Sequence, residues 1–259
     1  MSLNPKIKDW TARRVWIVGA STGIGAALAD ALVVRHARVA LSARRADALD
    51  AHVRRLGATH ALALPLDITQ LATMEAAQRR LIETWGGYDL VIFMAGEYKA
   101  MRAWDIDLAA ANTMIATNLT GIVAGLSLVI PQFLRQGSGA IALVSSVAGY
   151  RGLPKSLIYG PTKAAVINLA ETLYLDLQPK NIAVHVINPG FVKTPLTDQN
   201  DFKMPALISP EEAAESILDG FAAGAFEIHF PKRFTRVLKA LRHLPYPAYF
   251  AAIRKMTGL

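Results

Sequence analysis

The feature that most constrains the fold is a glycine-rich turn near the N-terminus, because an apolar run precedes it and a helical pattern follows it. Residues 15–18 are apolar, and Gly-Ala-Ser-Thr-Gly-Ile-Gly occupies residues 19–25. Leu28, Leu32 and His36 then recur at helical spacing. Glycines let a backbone approach a pyrophosphate, and a helix N-terminus supplies unpaired N–H groups and a positive dipole. The order predicts a phosphate cradle, with a G-x-x-x-G-x-G spacing in place of G-x-G-x-x-G.

Short strand-like runs alternate with longer helical patterns along the chain. Strands are predicted near residues 14–19, 38–43, 60–65, 89–94, 139–145, 182–187 and 226–229. Helices are predicted near residues 23–36, 46–56, 70–85, 105–135 with a break, 158–178 and 211–223. This alternation is typical of βαβ units. The sequence therefore predicts an α/β fold: a Rossmann-type, doubly wound, mostly parallel seven-stranded sheet with helices on both faces. Ligands of such sheets bind beyond the carboxyl ends of the strands.

Tyr159 and Lys163 stand four residues apart, and Ser146 lies upstream of them. Residues i and i+4 share one face of a helix. A neighbouring ammonium favours the phenolate and should lower the pKa of the tyrosine toward the range of a general acid–base catalyst. A serine hydroxyl at the same place could hold a carbonyl or alcohol oxygen. Pro161 implies that the helix begins just before it, since proline is tolerated in a first turn.

With the glycine turn, Ser146, Tyr159 and Lys163 in place, residues 12–230 resemble the short-chain dehydrogenase/reductase family. The resemblance implies an NAD(P)(H)-dependent oxidoreductase in which Ser146, Tyr159, Lys163 and Asn118 are catalytic. Tyr159 would exchange a proton with the substrate oxygen, which Ser146 would also hydrogen-bond. Lys163 would bind the nicotinamide ribose, and Asn118 would hold a relay water. A cofactor-binding regulatory protein without turnover is the alternative, although such relatives usually lose the tyrosine or the lysine.

The family pattern also indicates which residues contact the cofactor. Asp67 matches the acid beside the adenine ring, and residues 188–194 match the segment that grips the nicotinamide carboxamide. The expected contacts are Gly19, Ser21, Thr22, Gly23, Ile24, Gly25, Ser42, Arg44, Arg45, Asp67, Ile68, Ala95, Gly96, Tyr159, Lys163, Pro189, Gly190, Val192 and Thr194. One position departs from the pattern: Met94 stands where the family usually has the second asparagine of Asn-Asn-Ala-Gly. We expect other groups to satisfy the local backbone there.

The end of the second strand indicates the choice of cofactor. An acidic residue there would hold a ribose 2′-hydroxyl and repel a 2′-phosphate. This chain has Ser42-Ala43-Arg44-Arg45 instead, which within the family looks like the NADPH-preferring pattern. We expect Arg44 to bind the 2′-phosphate with help from Ser42 or Arg45, so that NADP(H) is preferred and NAD(H) is the alternative. The competing interpretation of these arginines is a solvated start to the next helix.

Apolar residues around the expected site predict a small hydrophobic ketone or aldehyde substrate, reduced to the alcohol in the cell, or the reverse reaction. Residues 194–210 should cover the site. The expected covering and wall residues are Phe202, Met204, Pro205, Leu207, Tyr150, Leu153 and Phe191.

Length and composition favour one domain, and the resemblance implies that residues 1–230 form the dinucleotide-binding and catalytic domain, followed by an extension, residues 231–259. The chain has no cysteine, and its six histidines show no ligand spacing, so no metal site is expected and each histidine is read as a surface or strand-end residue. The apolar stretches, such as residues 121–131, are shorter than a membrane span needs. We expect a cytoplasmic protein that forms a homodimer or homotetramer through the helices near 105–135 and 158–178, as relatives do.

The C-terminal extension is strongly basic. Residues 228–259 carry seven of the chain's eight net positive charges and no Asp or Glu. Apolar residues recur at helical spacing from Phe234 to Leu244, Pro245 and Pro247 interrupt the pattern, and a second aromatic and apolar cluster follows. Two interpretations stay open: a membrane-surface helix that places the protein peripherally at a bilayer, or an extension whose apolar side packs over the substrate cleft or another subunit. Nucleic acid is disfavoured, because no recognition module accompanies the charge.

Overall fold

The computed structural model describes residues 2–199 and 204–258. Within them, seven strands form one parallel sheet in the order β3-β2-β1-β4-β5-β6-β7. The strands are β1 Arg14–Val18, β2 Arg38–Ser42, β3 Ala61–Ala63, β4 Leu90–Phe93, β5 Gly139–Val144, β6 Ile182–Pro189 and β7 Glu227–Phe230. The strand order reverses between β1 and β4, and ligands of open parallel sheets bind beyond the carboxyl ends of the strands at such a reversal.

Helices pack on both faces of the sheet, which confirms the predicted fold class. The helices are α1 Gly23–Val34, α2 Ala46–Leu56, α3 Leu71–Trp85, α4 Leu108–Ile115, α5 Gly121–Gln136, α6 Tyr159–Leu177, α7 Pro210–Ala223, α8 Lys232–Arg242 and α9 Tyr246–Thr257. Helix α6 begins at Tyr159, as Pro161 predicted. Neither Pro245 nor Pro247 lies in the middle of a helix: Pro245 immediately precedes α9, and Pro247 lies in its first turn.

The central strands are apolar without interruption because both of their faces are covered. Along β1, Val15 and Ile17 join the core on one face, and Trp16 and Val18 join the core on the other. Side chains of a strand alternate between faces with a period of two, so these four residues contribute to two cores at once.

The predicted break in the helix near 105–135 is a single π-helical turn, Ala116–Thr120, and the helix continues through it from α4 to α5. This corrects the expectation from residues 121–131, because Leu108–Gln136 is long and apolar enough, by length and composition, to cross a membrane. Its inner side chains, however, lie against the sheet. A Cβ at Gly125 would approach the Phe93 ring to 2.4 Å, so only glycine allows this close contact.

One histidine departs from its predicted place. His185 is fully buried within β6, where its ring packs edge-on against Phe221 at 4.8 Å. Burial lowers the pKa of His185 to about 4, partly offset by its hydrogen bond to the Ala225 carbonyl. The side chain is therefore a neutral core group. Among the described residues, no group of three or more His, Cys, Asp or Glu side chains is arranged to hold a metal ion.

Candidate active site

A cavity of about 710 Å³ lies beyond the carboxyl ends of the strands, and the glycine turn forms its floor. Gly19 has φ +108°, and a Cβ there would lie 2.4 Å from the backbone nitrogen of Ala95. The turn and the loop after β4 thus pass each other in backbone contact, which a side chain would prevent. The amides of Gly19 and Ala20 donate to the Ser42 carbonyl at 2.7 and 3.0 Å, and these bonds hold the turn against β2.

The structure brings nearly all of the predicted cofactor residues to this cleft. Its lining includes Gly19, Ser21, Thr22, Gly23, Ile24, Gly25, Arg44, Arg45, Asp67, Ile68, Ala95, Gly96, Tyr159, Lys163, Pro189, Gly190, Val192 and Thr194. Asp67 is held by Thr69, whose backbone N–H and hydroxyl donate to the Asp67 carboxylate at 2.9 and 2.8 Å.

Ser42 is the exception, and its predicted part in phosphate binding is wrong. The residue is fully buried, and its hydroxyl oxygen accepts a hydrogen bond from Trp16 Nε1 at 2.9 Å. As the last residue of β2, it points into the core that Trp16 occupies, while the next residues turn toward the cleft. Its contribution is to support the glycine turn through its carbonyl.

The candidate catalytic side chains meet where β5 ends and α6 begins. Ser146 follows β5 in extended backbone, and its Oγ accepts from the amide of Ala148 at 3.1 Å. The Ser146 hydroxyl also hydrogen-bonds the Tyr159 side chain. Lys163 is buried one turn into α6, and its Nζ donates to the Val144 carbonyl at 3.0 Å. Three side chains from two elements are thereby fixed around one point of the cleft.

The expected lowering of the Tyr159 pKa by Lys163 is wrong for the protein without cofactor. Burial raises the pKa of Tyr159 to about 12, and the hydrogen bond to Ser146 lowers it only in part. Burial also lowers the pKa of Lys163 to about 8. The ammonium lies 5.6 Å from the centre of the tyrosine ring and donates to a backbone carbonyl, so it does not pair with the phenol.

Asn118 lies in the π-helical turn and is fully buried. Its Oδ1 accepts from the amide of Glu97 at 2.7 Å, and its Nδ2 donates to the Glu97 carbonyl at 2.8 Å. This pair of bonds fixes the loop after β4, in which Met94 packs against the core instead of hydrogen-bonding. The amides of Met94 and Ala95 both donate to the Val18 carbonyl, at 2.8 and 2.7 Å. The local backbone is thus satisfied without the asparagine that Met94 replaces. π-Helical turns occur frequently at functional sites.

A second cavity of about 420 Å³ adjoins the first, and Ser146 and Tyr159 line both. Of the predicted wall and covering residues, Leu153, Phe191 and Pro205 line it, whereas Met204 and Leu207 do not. Phe202 lies outside the described residues. Tyr150 is not a wall: its hydroxyl donates to Glu227 Oε1 at 2.6 Å, and this bond turns the ring away into the core.

Sequence reasoning missed two parts of this second cavity. The Tyr98 ring packs edge-on against Tyr159 at 5.0 Å, and its place two residues after the Ala-Gly of the loop could have indicated it. The remaining wall comes from the C-terminal extension, whose lining residues are Phe234, Leu238, Ile253, Met256 and Thr257. The apolar side of the extension therefore packs over the cleft, which is one of the two interpretations left open by its sequence.

The comparisons with known proteins agree with this geometry. A family model described as short chain dehydrogenase matches residues 13–204. The chain belongs to the short-chain dehydrogenase family. An uncharacterized oxidoreductase of Myxococcus xanthus is 36% identical over 251 residues, which cover 96% of this chain and 99% of that protein. One of Staphylococcus haemolyticus is 30% identical over 202 residues, which cover 78% of this chain and 87% of that protein.

Solved structures of this family share the fold. A short-chain dehydrogenase/reductase from Burkholderia phymatum, in complex with NAD, superposes with a TM-score of 0.84 at 22% identity, over 92% of this chain and 95% of that one. A 3-ketoacyl-(acyl-carrier-protein) reductase from Brucella melitensis, complexed with NADH, gives 0.78 at 23% identity, over 85% and 96%. The family assignment makes this chain an oxidoreductase on a Rossmann-type fold.

Burial of Lys163 predicts a pH-dependent cost to stability. The pKa of Lys163 is about 8 in the folded protein, against 10.5 for an ordinary lysine. Between these values the unfolded chain binds more protons, so the stability of the wild type rises with pH in that window. The Lys163→Met variant lacks this term. The unfolding free energy of Lys163→Met minus that of the wild type should therefore fall by on the order of 2 kcal/mol between about pH 7 and about pH 10.

Urea unfolding without cofactor at several pH values measures this difference. Lys180, which is exposed, provides the control, because the unfolding free energy of Lys180→Met should depend on pH in the same way as that of the wild type. A difference between wild type and Lys163→Met that stays constant across the window would contradict a buried, easily deprotonated lysine.

Proposed function

We propose that this chain is an NADP(H)-dependent oxidoreductase that interconverts a small hydrophobic ketone or aldehyde and its alcohol. The observation that carries the proposal is that Ser146 and Tyr159 line both cavities. One cavity contains the glycine turn, Arg44, Arg45 and Asp67, and the other is walled mostly by apolar side chains. Two hydroxyls at their junction are placed to act on an oxygen atom of a molecule in the second cavity.

The residues of the first cavity fit a dinucleotide. Gly19 leaves room for a close ligand, and the N-terminus of α1 begins at Gly23 with no acidic residue in its first turn. Its unpaired N–H groups and dipole therefore favour a phosphate. The side chains of Arg44 and Arg45 are exposed at one end of the cleft, and Tyr159 and Lys163 stand at the other. A bound nicotinamide would supply or accept the hydride.

The chain's own residues account for the proton. Tyr159 carries its proton at neutral pH, because burial raises its pKa to about 12. It can therefore donate to a carbonyl oxygen, while Ser146 donates a second hydrogen bond to the same oxygen. Burial lowers the pKa of Lys163 to about 8, and because its Nζ donates to the Val144 carbonyl and not to the phenol, return of a proton from Lys163 to Tyr159 would need an intervening water. Asn118 fixes the loop beside the lysine: a Cβ at Gly96 would lie 3.6 Å from Asn118 Oδ1 and 3.7 Å from Lys163 Nζ.

Removal of the phenol tests this assignment. Tyr159→Phe should lower kcat by at least ~10²-fold, since general acid–base groups contribute that much or more, while the variant still binds the cofactor. Tyr174→Phe is the matched control, because that hydroxyl donates to the Leu3 carbonyl far from the cleft. Steady-state turnover at saturating cofactor measures both variants. Turnover near the wild-type rate in Tyr159→Phe would show that another group supplies the proton.

The preference for NADP(H) is supported by the charge at the end of β2. Arg44 and Arg45 line the cleft, Arg45 immediately precedes α2, and none of residues 42–45 at the end of β2 is acidic. A guanidinium forms strong, paired hydrogen bonds with phosphate oxygens. Two structural relatives were solved with NAD or NADH, which makes NAD(H) the alternative for this chain.

We expect kcat/KM to be higher for NADPH than for NADH. Arg44→Ser should reduce kcat/KM for NADPH by ~10- to 100-fold, the worth of one or two hydrogen bonds to a charged group, and should leave the value for NADH nearly unchanged. Arg54→Ser, on the exposed surface of α2, is the control. A clear preference of the wild type for NADH would reject the assignment.

The walls of the second cavity support an apolar substrate. Val147, Leu153, Phe191, Leu238 and Ile253 line it beside the two hydroxyls. Burial of each apolar group of a substrate against such walls is favourable by roughly 25 cal/mol per Å². Cyclic and long-chain ketones should therefore give higher kcat/KM than small charged ones of equal intrinsic reactivity. A panel of carbonyl compounds followed by NADPH oxidation measures this, and activity confined to small charged substrates would refute it.

We also propose that the chain pairs with copies of itself and acts in the cytoplasm. An exposed stripe on α5 contains Val123 and Leu134, and Leu175 is exposed on α6. Unpartnered apolar side chains on two long neighbouring helices favour a helical interface between subunits. Light scattering should give the mass of a dimer or tetramer, whereas a monomer at micromolar concentration would exclude this pairing.

A further inference from the structure

The C-terminal hairpin, defined here as helices α8 and α9, is held in place by Arg151. One Nη atom of Arg151 donates to the carbonyl of Arg242 at the end of α8, at 3.2 Å, and to the carbonyl of Leu244 just beyond it, at 2.6 Å. The same guanidinium lies over the rings of Tyr246 and Tyr249, at 4.8 and 4.0 Å. The turn between the two helices is thereby fixed to the loop that follows Ser146.

Further contacts fix the inner side of the hairpin. The Tyr249 hydroxyl donates to the Gly152 carbonyl at 2.7 Å, and Lys239 pairs with Glu227. The inner apolar side chains line the second cavity, as described above, or pack against the core beside it. This side is therefore already buried. It is not free to enter a bilayer as the apolar face of a surface helix would.

The outer side of the hairpin presents cations. Lys232, Arg233, Arg236, Arg242, Arg254 and Lys255 are exposed. None of these six takes part in an ion pair with any residue that the structure describes. Residues 231–259 contain no Asp or Glu that could neutralise them. The result is a concentrated positive surface on a chain whose remaining residues are close to neutral.

Aromatic side chains stand among these cations. Tyr246 is 69% exposed and Phe250 is 51% exposed, and their rings stack at 5.8 Å on the surface of α9. Aromatic rings beside lysines and arginines are characteristic of surfaces that contact lipid headgroups.

The same surface borders the entrance of the substrate cavity. Met256 lines that cavity and is still 54% exposed, and Thr257 next to it is also both lining and exposed. An apolar cavity that opens beside a cationic, aromatic surface would face a bilayer if that surface rested on one.

From these observations we propose that the outer face of the C-terminal hairpin docks on an anionic lipid bilayer. The six cations would contact phosphate headgroups, and Tyr246 and Phe250 would lie at headgroup depth. Docking would turn the cavity entrance toward the lipid, from which an apolar substrate could enter. The docking itself does not depend on the proposed reaction, because it is carried by surface residues outside the catalytic set.

Co-sedimentation of the full chain with vesicles tests the proposal. The wild type should pellet with phosphatidylcholine vesicles that contain phosphatidylglycerol, should remain in solution with pure phosphatidylcholine, and should be released by high salt. Reversal of four outer cations, Arg233→Glu, Arg236→Glu, Arg254→Glu and Lys255→Glu together, should weaken binding by at least ~10-fold, given the contribution of each cation near an anionic surface. Phe250→Ser alone should also weaken it.

A matched variant separates location from net charge. Lys6→Glu, Lys8→Glu, Arg79→Glu and Arg80→Glu together change the net charge equally at exposed positions elsewhere, and this variant should still bind. Thermal unfolding of both variants verifies that they are folded. The proposal is overturned if the wild type does not pellet, if neutral and anionic vesicles recover it equally, if both quadruple variants lose binding alike, or if it binds duplex DNA but not vesicles. Since no turnover is measured, none of these outcomes bears on the proposed reaction.

Discussion

A reciprocal pair of hydrogen bonds between β5 and α6 sets the geometry on which the site depends. Lys163 Nζ donates to the Val144 carbonyl at 3.0 Å, and Ser145 Oγ donates to the Lys163 carbonyl at 2.6 Å. These bonds fix the start of α6 against the end of the strand, and so they fix the separation of Tyr159 from Ser146. The short turn Val147–Gly149 packs closely against α6, since a Cβ at Gly149 would lie 2.7 Å from the Lys163 carbonyl carbon. Burial of the Lys163 ammonium lowers the stability of the folded protein, although this residue lies at the centre of the site.

Much of the fold and the cleft could be predicted from sequence because the relevant signals are local. The glycine turn, the Tyr159–Lys163 spacing and Pro161 each act within one strand–turn–helix unit or one helical turn. The topology of a parallel sheet then collects them, since every connection returns to the same edge. For this reason Asp67 and Arg44, which are far apart along the chain from Pro189, were correctly expected to line the same cleft.

What could not be predicted depends on partners that are distant in sequence. Nothing near Ser42 indicates that its hydroxyl accepts from Trp16, and nothing near Tyr150 indicates that its hydroxyl donates to Glu227. The effect of Lys163 on Tyr159 was misjudged for a related reason: helical spacing gives proximity, but the pKa depends on burial and on where the ammonium points. The sequence predicts that the basic extension is amphipathic, but the contacts of Arg151 are needed to show which of its sides is buried.

The hairpin that closes the second cavity lies outside the segment that matches the family, which ends at residue 204. The bond-making groups therefore lie within that segment, whereas part of the wall of the second cavity lies outside it. A change in the sequence of the C-terminal hairpin could therefore change which substrates fit, while Tyr159, Lys163 and the glycine turn stay the same. The Myxococcus xanthus relative is matched over 96% of this chain, so that match includes most of the hairpin, whereas the Staphylococcus haemolyticus relative is matched over 78%.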